Sequence, residues 1–235
     1  MSHGTRRGRP APNAREKIAA EVRSQAEPAV AVNERWLDAA ESCYTRFGLA
    51  KTTVEDVARA AGVSRATLYR HFGSRDDLLV GVIAREARRL AAEAAVTIQR
   101  FDDVGSWIVE GILLCLREIP RRPMLAMLFA PEEVGAASRL VLTSEQLLAI
   151  GADFLRPMFA LAGERRLLRE GVQIDVLMEW VLRILVSYLT VPSHLARTDA
   201  ELRQLLRAMI LPAVLANAPA DPDSEINRRE ESRDG

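Results

Sequence analysis

Hydrophobic residues recur at helical spacing along this 235-residue chain. The first clear stripe lies between residues 33 and 48, with apolar side chains mostly three or four positions apart: Trp36, Leu37, Ala40, Tyr44 and Phe47. This period is that of an amphipathic helix, and Gly48 stands where a helix commonly ends. We therefore expect the folded part of the chain to begin at residue 33.

The chain beyond residue 78 keeps the same period, and no segment alternates as a strand would. Helices are predicted over residues 75–99, 104–119, 124–129, 144–163, 175–191 and 199–217. Ser74 and Thr198 each stand at a predicted N-cap, with a carboxylate three residues later. Pro212 falls inside the last predicted helix and should kink it. The predicted fold class is all-α.

Composition excludes several classes of protein. The 32 basic and 32 acidic residues give a net charge of zero, so the overall charge does not indicate an anionic partner. Cys43 and Cys115 stand in apolar helical patterns without metal-site spacing, which predicts core residues in a reducing compartment. The sequence shows neither a signal peptide nor an apolar window long enough to span a membrane. We expect a cytoplasmic protein without a cofactor.

The histidines give no support for an enzyme. His3, His71 and His194 are far apart in the sequence, in an N-terminal arm, a short helix and a loop. No set of nucleophile, base and orienting group occurs, and no glycine-rich phosphate loop. Catalysis is therefore not expected.

Residues 52–72 have the pattern of two short helices joined by a tight turn. Thr53 can cap the first helix, with Asp56 returning the capping-box hydrogen bond. Gly62 ends that helix after two turns, and Ser64 caps the next one. With only Gly62 and Val63 between the helices, they must meet at a steep angle, which predicts a helix-turn-helix.

The outward face of the second helix carries residue types that suit the DNA major groove. Its members are Arg65, Ala66, Thr67, Tyr69, Arg70 and His71. Arginine can bond guanine through two hydrogen bonds, small methyl groups can contact thymine, and Tyr and His can donate to phosphates. The alternative is a helical hairpin whose polar face is merely solvated.

Residues 35–80 resemble the N-terminal domain of the TetR family of transcriptional regulators. The resemblance rests on Thr-Val-Glu-Asp-Val-Ala at 53–58, Ala-Gly-Val-Ser at 61–64, Thr-Leu-Tyr-Arg-His-Phe at 67–72, and Ser74-Arg75 with Leu78. It implies a three-helix DNA-binding head, a long linking helix, and a helical domain for ligand binding and dimerisation. It also implies DNA contacts for Thr53, Arg65, Thr67, Tyr69, His71 and Arg75. With Ser64, Ala66 and Arg70 of the same segment, these form the candidate DNA-binding set.

The expected domains are a flexible basic arm at 1–32, the DNA-binding head at 33–77, an effector-binding and dimerisation domain at 78–217, and a disordered acidic tail at 218–235. Within the arm, Arg7-Gly8-Arg9 looks like the core of an AT-hook, which lies in the narrow minor groove of A·T-rich DNA. A solvated basic tail is the alternative.

The segment from Val176 to Val191 is apolar all round, which predicts burial on more than one face. Together with the last helix it predicts a homodimer, whose two heads require a pseudo-palindromic operator. The candidate interface residues are Val181, Leu185, Tyr188, Leu202, Leu206 and Met209. A monomer with a deep core is the alternative.

A pocket for a small apolar effector is predicted around the methionine-rich segment at 124–129, because Met adapts to irregular shapes. The candidate lining is Trp107, Met124, Met127, Leu128, Phe129, Phe154, Met158, Phe159 and Arg183. An ordinary core needs the same apolar residues, and Arg183 can instead pair with Glu179 one turn earlier. The effector itself is not identified by the sequence.

These patterns predict a sequence-specific DNA-binding transcriptional regulator, a repressor released by a small apolar ligand. An activator fits the sequence as well. The alternative function is a non-specific architectural DNA-binding protein, whose affinity would fall with salt uniformly across DNA sequences.

Overall fold

The computed structural model describes residues 34–101, 103–130, 134–191 and 197–216. The predicted arm with Arg7, Gly8 and Arg9, the residues His3 and His194, and the predicted tail lie outside these ranges. Within them the named elements are all helices, which confirms the all-α fold class. The α-helices are α1 Glu34–Phe47, α2 Val54–Ala61, α3 Arg65–Phe72, α4 Arg75–Ile98, α5 Val104–Glu118, α6 Pro123–Met127, α7 Val134–Thr143, α8 Glu145–Glu164, α9 Ile174–Thr190 and α10 Asp199–Val214.

Helices α1 to α3 form a small head around a compact apolar core. Its buried members include Leu37, Ala40, Tyr44, Val57 and Leu68. The connection from α1 to α2 is fixed by Thr52, whose buried hydroxyl lies 2.7 Å from the Gly48 carbonyl and 3.1 Å from that of Cys43. The stripe read from the sequence is the inner face of α1 at Trp36, Leu37, Ala40 and Tyr44, whereas the prediction is wrong for Phe47, which is 44% exposed at the end of the helix.

Helix α4 links the head to the rest of the molecule. Its N-cap is Ser74, whose Oγ accepts a hydrogen bond from the Asp77 amide at 3.0 Å, as the sequence predicted. The helix runs for 24 residues and packs against the head near Leu78 and against the larger domain near Leu90 and Ala94. Helix α4 is therefore shared by the head and the larger domain.

The larger domain, here called the body, is built around α5. This helix is buried along most of its length and packs against α4, α8, α9 and α10. Helix α10 begins at the predicted capping box, with the Thr198 amide donating to the Glu201 carboxylate at 2.7 Å. It contains Pro212 and ends at Val214, three residues before the predicted end.

Helix α7 was not predicted from the sequence. Its first residues, Val134-Gly135-Ala136-Ala137-Ser138, lack a clear apolar stripe and include poor helix formers. Packing against α9 accompanies the helical conformation, and Val141 is buried. Tertiary packing commonly overrides weak local propensity in this way.

No helix of the described ranges combines the length and apolar character that crossing a bilayer would need.

Candidate DNA-binding site and apolar cavity

The connection between α2 and α3 consists of Gly62, Val63 and Ser64, and capping hydrogen bonds fix the start of each helix. Thr53 and Asp56 form the predicted capping box of α2, with Thr53 Oγ1 accepting from the Asp56 amide at 3.2 Å. The hydrogen bonds from Thr53 lower the pKa of the Asp56 carboxyl group, because they favour its charged form. Gly62 has φ 67°, a left-handed conformation that favours glycine. The helix-turn-helix is thus specified by local chemistry.

Ser64 fixes the start of α3. Its Oγ accepts a hydrogen bond from the Thr67 amide at 3.1 Å and lies 2.8 Å from the Thr67 hydroxyl. Both hydroxyls therefore stabilise the first turn of the helix in the DNA-free protein. Leu68 is 1% exposed and Phe72 packs against the same core, so the opposite face of the helix points outward.

The predicted DNA-binding residues of α3 lie on the face of the helix that points away from the core. Arg65, Ala66, Arg70 and His71 are exposed, and Thr67 and Tyr69 are half-buried. On this face Arg65 forms an ion pair with Glu55 of α2, and its guanidinium carbon lies 5.1 Å from the centre of the Tyr69 ring. The arginine is thus oriented by two neighbours before DNA is bound, while 60% of its side chain stays exposed.

His71 and Arg75 have structural contacts in addition to their predicted DNA contacts. The His71 ring packs edge-on against Trp36 of α1, with centroids 5.0 Å apart. Arg75 donates from Nε to the Thr52 carbonyl at 3.0 Å and from Nη2 to the Leu49 carbonyl. Arg75 therefore holds the α1–α2 connection to the start of α4.

A cavity of about 160 Å³ lies in the body. One wall consists of α4 residues with small or aliphatic side chains: Ile83, Ala87, Leu90, Ala91 and Ala94. The remaining lining comes from α5, α8 and α9, together with Ile119, Leu125, Leu128, Phe129 and Val141. The helix that carries the head is therefore also a wall of the cavity.

The structure divides the predicted pocket residues into two groups. Trp107, Leu128, Phe129 and Phe154 line the cavity. The prediction is corrected for Met124, Met127, Met158 and Phe159, which pack into the surrounding core and are absent from the cavity wall.

Arg183 is also not a pocket residue. It lies on the outer face of α9 with half of its side chain exposed, and its Nε donates to Glu179 Oε1 at 3.0 Å. Of the two roles that the sequence allowed for Arg183, the ion pair with Glu179 is therefore the one observed.

The predicted interface residues also fall into two groups. Val181 and Leu185 line the cavity, and Leu206 is 3% exposed in the core. The interface prediction is wrong for these three, because side chains buried inside one protomer leave no surface for a partner. Tyr188 and Leu202 are half-buried, and Met209 is 67% exposed. Trp180 of the same predicted helix was not among the candidate interface residues, and it is 62% exposed on α9.

Sequence reasoning also missed the ion-pair cluster that joins the head to α4. Arg85 is buried, and its guanidinium contacts the carboxylates of Glu34, Asp38 and Glu41 on α1. The sequence did contain an indication of this cluster, because Arg85 follows Leu78 and Val82 at helical spacing on the buried stripe of α4. A charge at such a position requires partners from another element.

Comparisons with known proteins agree with this architecture. The family model for bacterial regulatory proteins of the tetR family matches residues 37–82. An uncharacterized HTH-type transcriptional regulator of Mycobacterium tuberculosis (strain ATCC 25618 / H37Rv) is 33% identical over 181 residues, which are 77% of this chain and 84% of the relative. The HTH-type transcriptional regulator AlkX of the same strain is 27% identical over 160 residues, 66% of this chain and 74% of AlkX.

Two solved structures share both the fold and detectable sequence similarity. The TetR family repressor AlkX from Dietzia sp. strain DQ12-45-1b, implicated in biodegradation of n-alkanes, is 28% identical with a TM-score of 0.54, covering 76% of this chain and 92% of that one. The R. erythropolis transcriptional repressor QsdR is 25% identical with a TM-score of 0.56, and the match covers 80% of this chain and 97% of QsdR. From the helix-turn-helix, the linking helix and these relatives, the chain belongs to the TetR family of bacterial transcriptional regulators, which bind operator DNA and act as dimers.

Proposed function

We propose that this regulator is a homodimeric repressor that binds a pseudo-palindromic operator in the cytoplasm and is released by a small apolar ligand. The proposal rests on one observation: α4 supports the proposed DNA-reading head and also forms a wall of the apolar cavity. A ligand in the cavity therefore acts on the same helix that positions the head.

Helix α3 is proposed to enter the major groove with Arg65, Ala66 and Thr67 nearest the bases. Arg65 is the residue proposed to read sequence, because a guanidinium can form two hydrogen bonds with guanine. Tyr69, Arg70 and His71 lie beside it for phosphate contacts, with Thr53, Ser64 and Arg75 at the helix ends. Two heads on one duplex then require half-sites related by the symmetry of the dimer.

Release is proposed to pass through α4 and α6. Leu125 of α6 lines the cavity, while the same helix packs against α1 of the head. Arg122, just before α6, forms ion pairs with Glu86 and Glu93 of α4. A ligand that fits one arrangement of these helices better than the other shifts the equilibrium between DNA-competent and DNA-incompetent states.

The dimer is proposed to form through the outer faces of α9 and α10. Each of these helices exposes large apolar side chains: Val176 and Trp180 are 51% and 62% exposed on α9, and Met209 is 67% exposed on α10. Large exposed apolar side chains often mark a protein interface.

The proposed apolar ligand has a parallel in the Dietzia repressor, which is implicated in biodegradation of n-alkanes.

The experiment is a titration of the purified protein against the DNA flanking its own gene. Fluorescence anisotropy with excess non-specific competitor measures affinity, and footprinting locates the site. We expect a protected pseudo-palindrome whose binding is lost in Arg65→Ala and kept in Arg156→Ala, which removes an exposed arginine of the body. Complete removal of binding by competitor, at this DNA and at fragments selected from the whole genome, would contradict operator reading and favour a non-specific DNA-binding module.

A further inference from the structure

The cavity wall lacks groups that could recognise a charged or strongly polar ligand. Among the described side chains that line it, none is acidic, basic, amide or hydroxyl-bearing. They are aliphatic and aromatic, with Met178 and Cys115 providing the sulfur atoms. An effector that entered this space would have to leave its water shell without gaining a protein ion pair or hydrogen bond in return.

The two lining side chains that carry a hydrogen-bond donor do not change this conclusion. Trp107 Nε1 already donates to the Phe101 carbonyl at 3.0 Å. Burial raises the pKa of the Cys115 thiol to about 12, so it stays uncharged and donates only weakly. Neither group is equipped to bind a carboxylate or a phosphate.

Charged side chains on the surrounding helices pair away from the cavity. Glu110 of α5 bonds Arg203 of α10, with Glu110 Oε2 3.2 Å from Arg203 Nη2. Arg183 of α9 pairs with Glu179 on the outer surface. These groups are absent from the cavity lining, so the wall stays apolar although charges lie on the same helices.

We propose that the effector is an uncharged hydrocarbon of roughly single-ring size, and that carboxylates and acyl esters with charged heads are rejected. This inference rests on the proposed function, in which the cavity is the effector site. The size follows from the volume of about 160 Å³, because an apolar protein cavity of about 150 Å³ binds benzene and stays dry without it. The rejection of charge follows from the uncompensated desolvation of an ionised group.

The test compares toluene with benzoate, two ligands of similar size of which only benzoate is charged at neutral pH. The readout is the rise of the thermal unfolding midpoint of the full-length protein with ligand concentration, which reports binding to the folded state. We expect toluene to raise the midpoint and benzoate to bind more than about a hundredfold more weakly, because its charge has no partner in the cavity. The pair of n-hexane and hexanoate should show the same order.

Two glycines provide matched variants that locate the binding. Gly111 of α5 lines the cavity, and a Cβ added there would meet only Phe154 Cε1, at 3.8 Å. Gly163 of α8 is exposed, and a Cβ there would meet nothing within 4 Å. We expect Gly111→Leu to abolish the toluene-induced shift and Gly163→Leu to leave it unchanged. Gly111→Ala, which adds only a methyl group, should weaken toluene binding about threefold to tenfold and keeps the test valid if the leucine variant does not fold.

Binding of the same samples to operator DNA, measured by fluorescence anisotropy, distinguishes failure of the effector inference from failure of the proposed function. Benzoate binding as tight as toluene would overturn the uncharged effector while leaving ligand-dependent release intact. A toluene shift that persists in the Gly111 variants would overturn the cavity as its site. Absence of any shift would overturn the inference even where operator binding is specific, whereas toluene binding without specific operator binding would count against the proposed function alone.

Discussion

Arg85 Nη1 donates a hydrogen bond to Asp38 Oδ1 at 2.7 Å, which ties the linking helix to the first helix of the head. Glu34 and Glu41 lie one turn on either side of Asp38 and contact the same guanidinium. Arg85 is 6% exposed on its side chain, whereas Asp38 is 66% exposed. The buried cation of Arg85, held by the edge of α1, thus contributes to the orientation of the head together with the apolar packing near Leu78.

Replacement of Arg85 by methionine should destabilise the protein by about 2 kcal/mol, because three carboxylates lose their shared partner while the side-chain volume is roughly kept. The measurement is the free energy of unfolding in urea. Arg156→Met is the control, since Arg156 and its partner Asp153 on α8 are 55% and 45% exposed, and such a surface pair contributes less than about 1 kcal/mol. Equal stability of the two variants would mean that apolar contacts alone hold the head.

Glu55 is expected to sharpen sequence reading by holding Arg65 in place. Glu55→Gln frees the guanidinium and also removes a negative charge near the DNA. Discrimination between the operator and a single-base variant should fall about threefold to tenfold, while binding to random DNA strengthens because repulsion from phosphates is reduced. Competition anisotropy on both DNAs measures the ratio.

Asp76→Asn is the control for charge, because it removes another exposed carboxylate, at the start of α4, that lies 3.7 Å from Arg75 and makes no ion pair with Arg65. If it lowers discrimination as much as Glu55→Gln does, the effect is one of net charge and Glu55 has no positioning role.

Ser64 and Ser144 cap different helices in the same way, and their alanine variants should separate stability from DNA binding. Each side chain accepts a hydrogen bond from the amide three residues later, at 3.1 Å and 3.3 Å. Each substitution should cost about 1 kcal/mol of stability. Only Ser64→Ala should also weaken operator binding, because the frayed turn carries Arg65 and Thr67; an equal loss in Ser144→Ala would show that the cap acts through global stability.

Trp180 and Met209 should be needed for the dimer. Trp180→Glu and Met209→Glu each place a charge on a proposed apolar interface, and we expect sedimentation to show dissociation at micromolar protein with retained helicity. Val96→Glu is the control, since Val96 is 57% exposed on α4 outside the proposed interface. A dimer that survives both substitutions would place the interface elsewhere.

The sequence by itself determined the head because its information there is local. Thr53, Asp56, Gly62 and Ser64 act on backbone groups within three or four residues, so their spacing alone specifies caps, turn and helix lengths. The inward position of Leu68 then fixes which side of α3 faces outward. Helical periodicity likewise predicted most of the body helices, although it missed α7, whose helix accompanies packing against α9.

The tertiary structure decided which apolar residues serve which purpose in the body. Val181 and Met209 have the same apolar character in the sequence, yet one lines the cavity and the other is exposed. Hydrophobic burial is non-directional, so a helix that is apolar all round does not specify which face meets a neighbour, a ligand space or a partner. Those assignments, like the partners of Arg85 across 44 to 51 residues of chain, arise only when distant helices pack together.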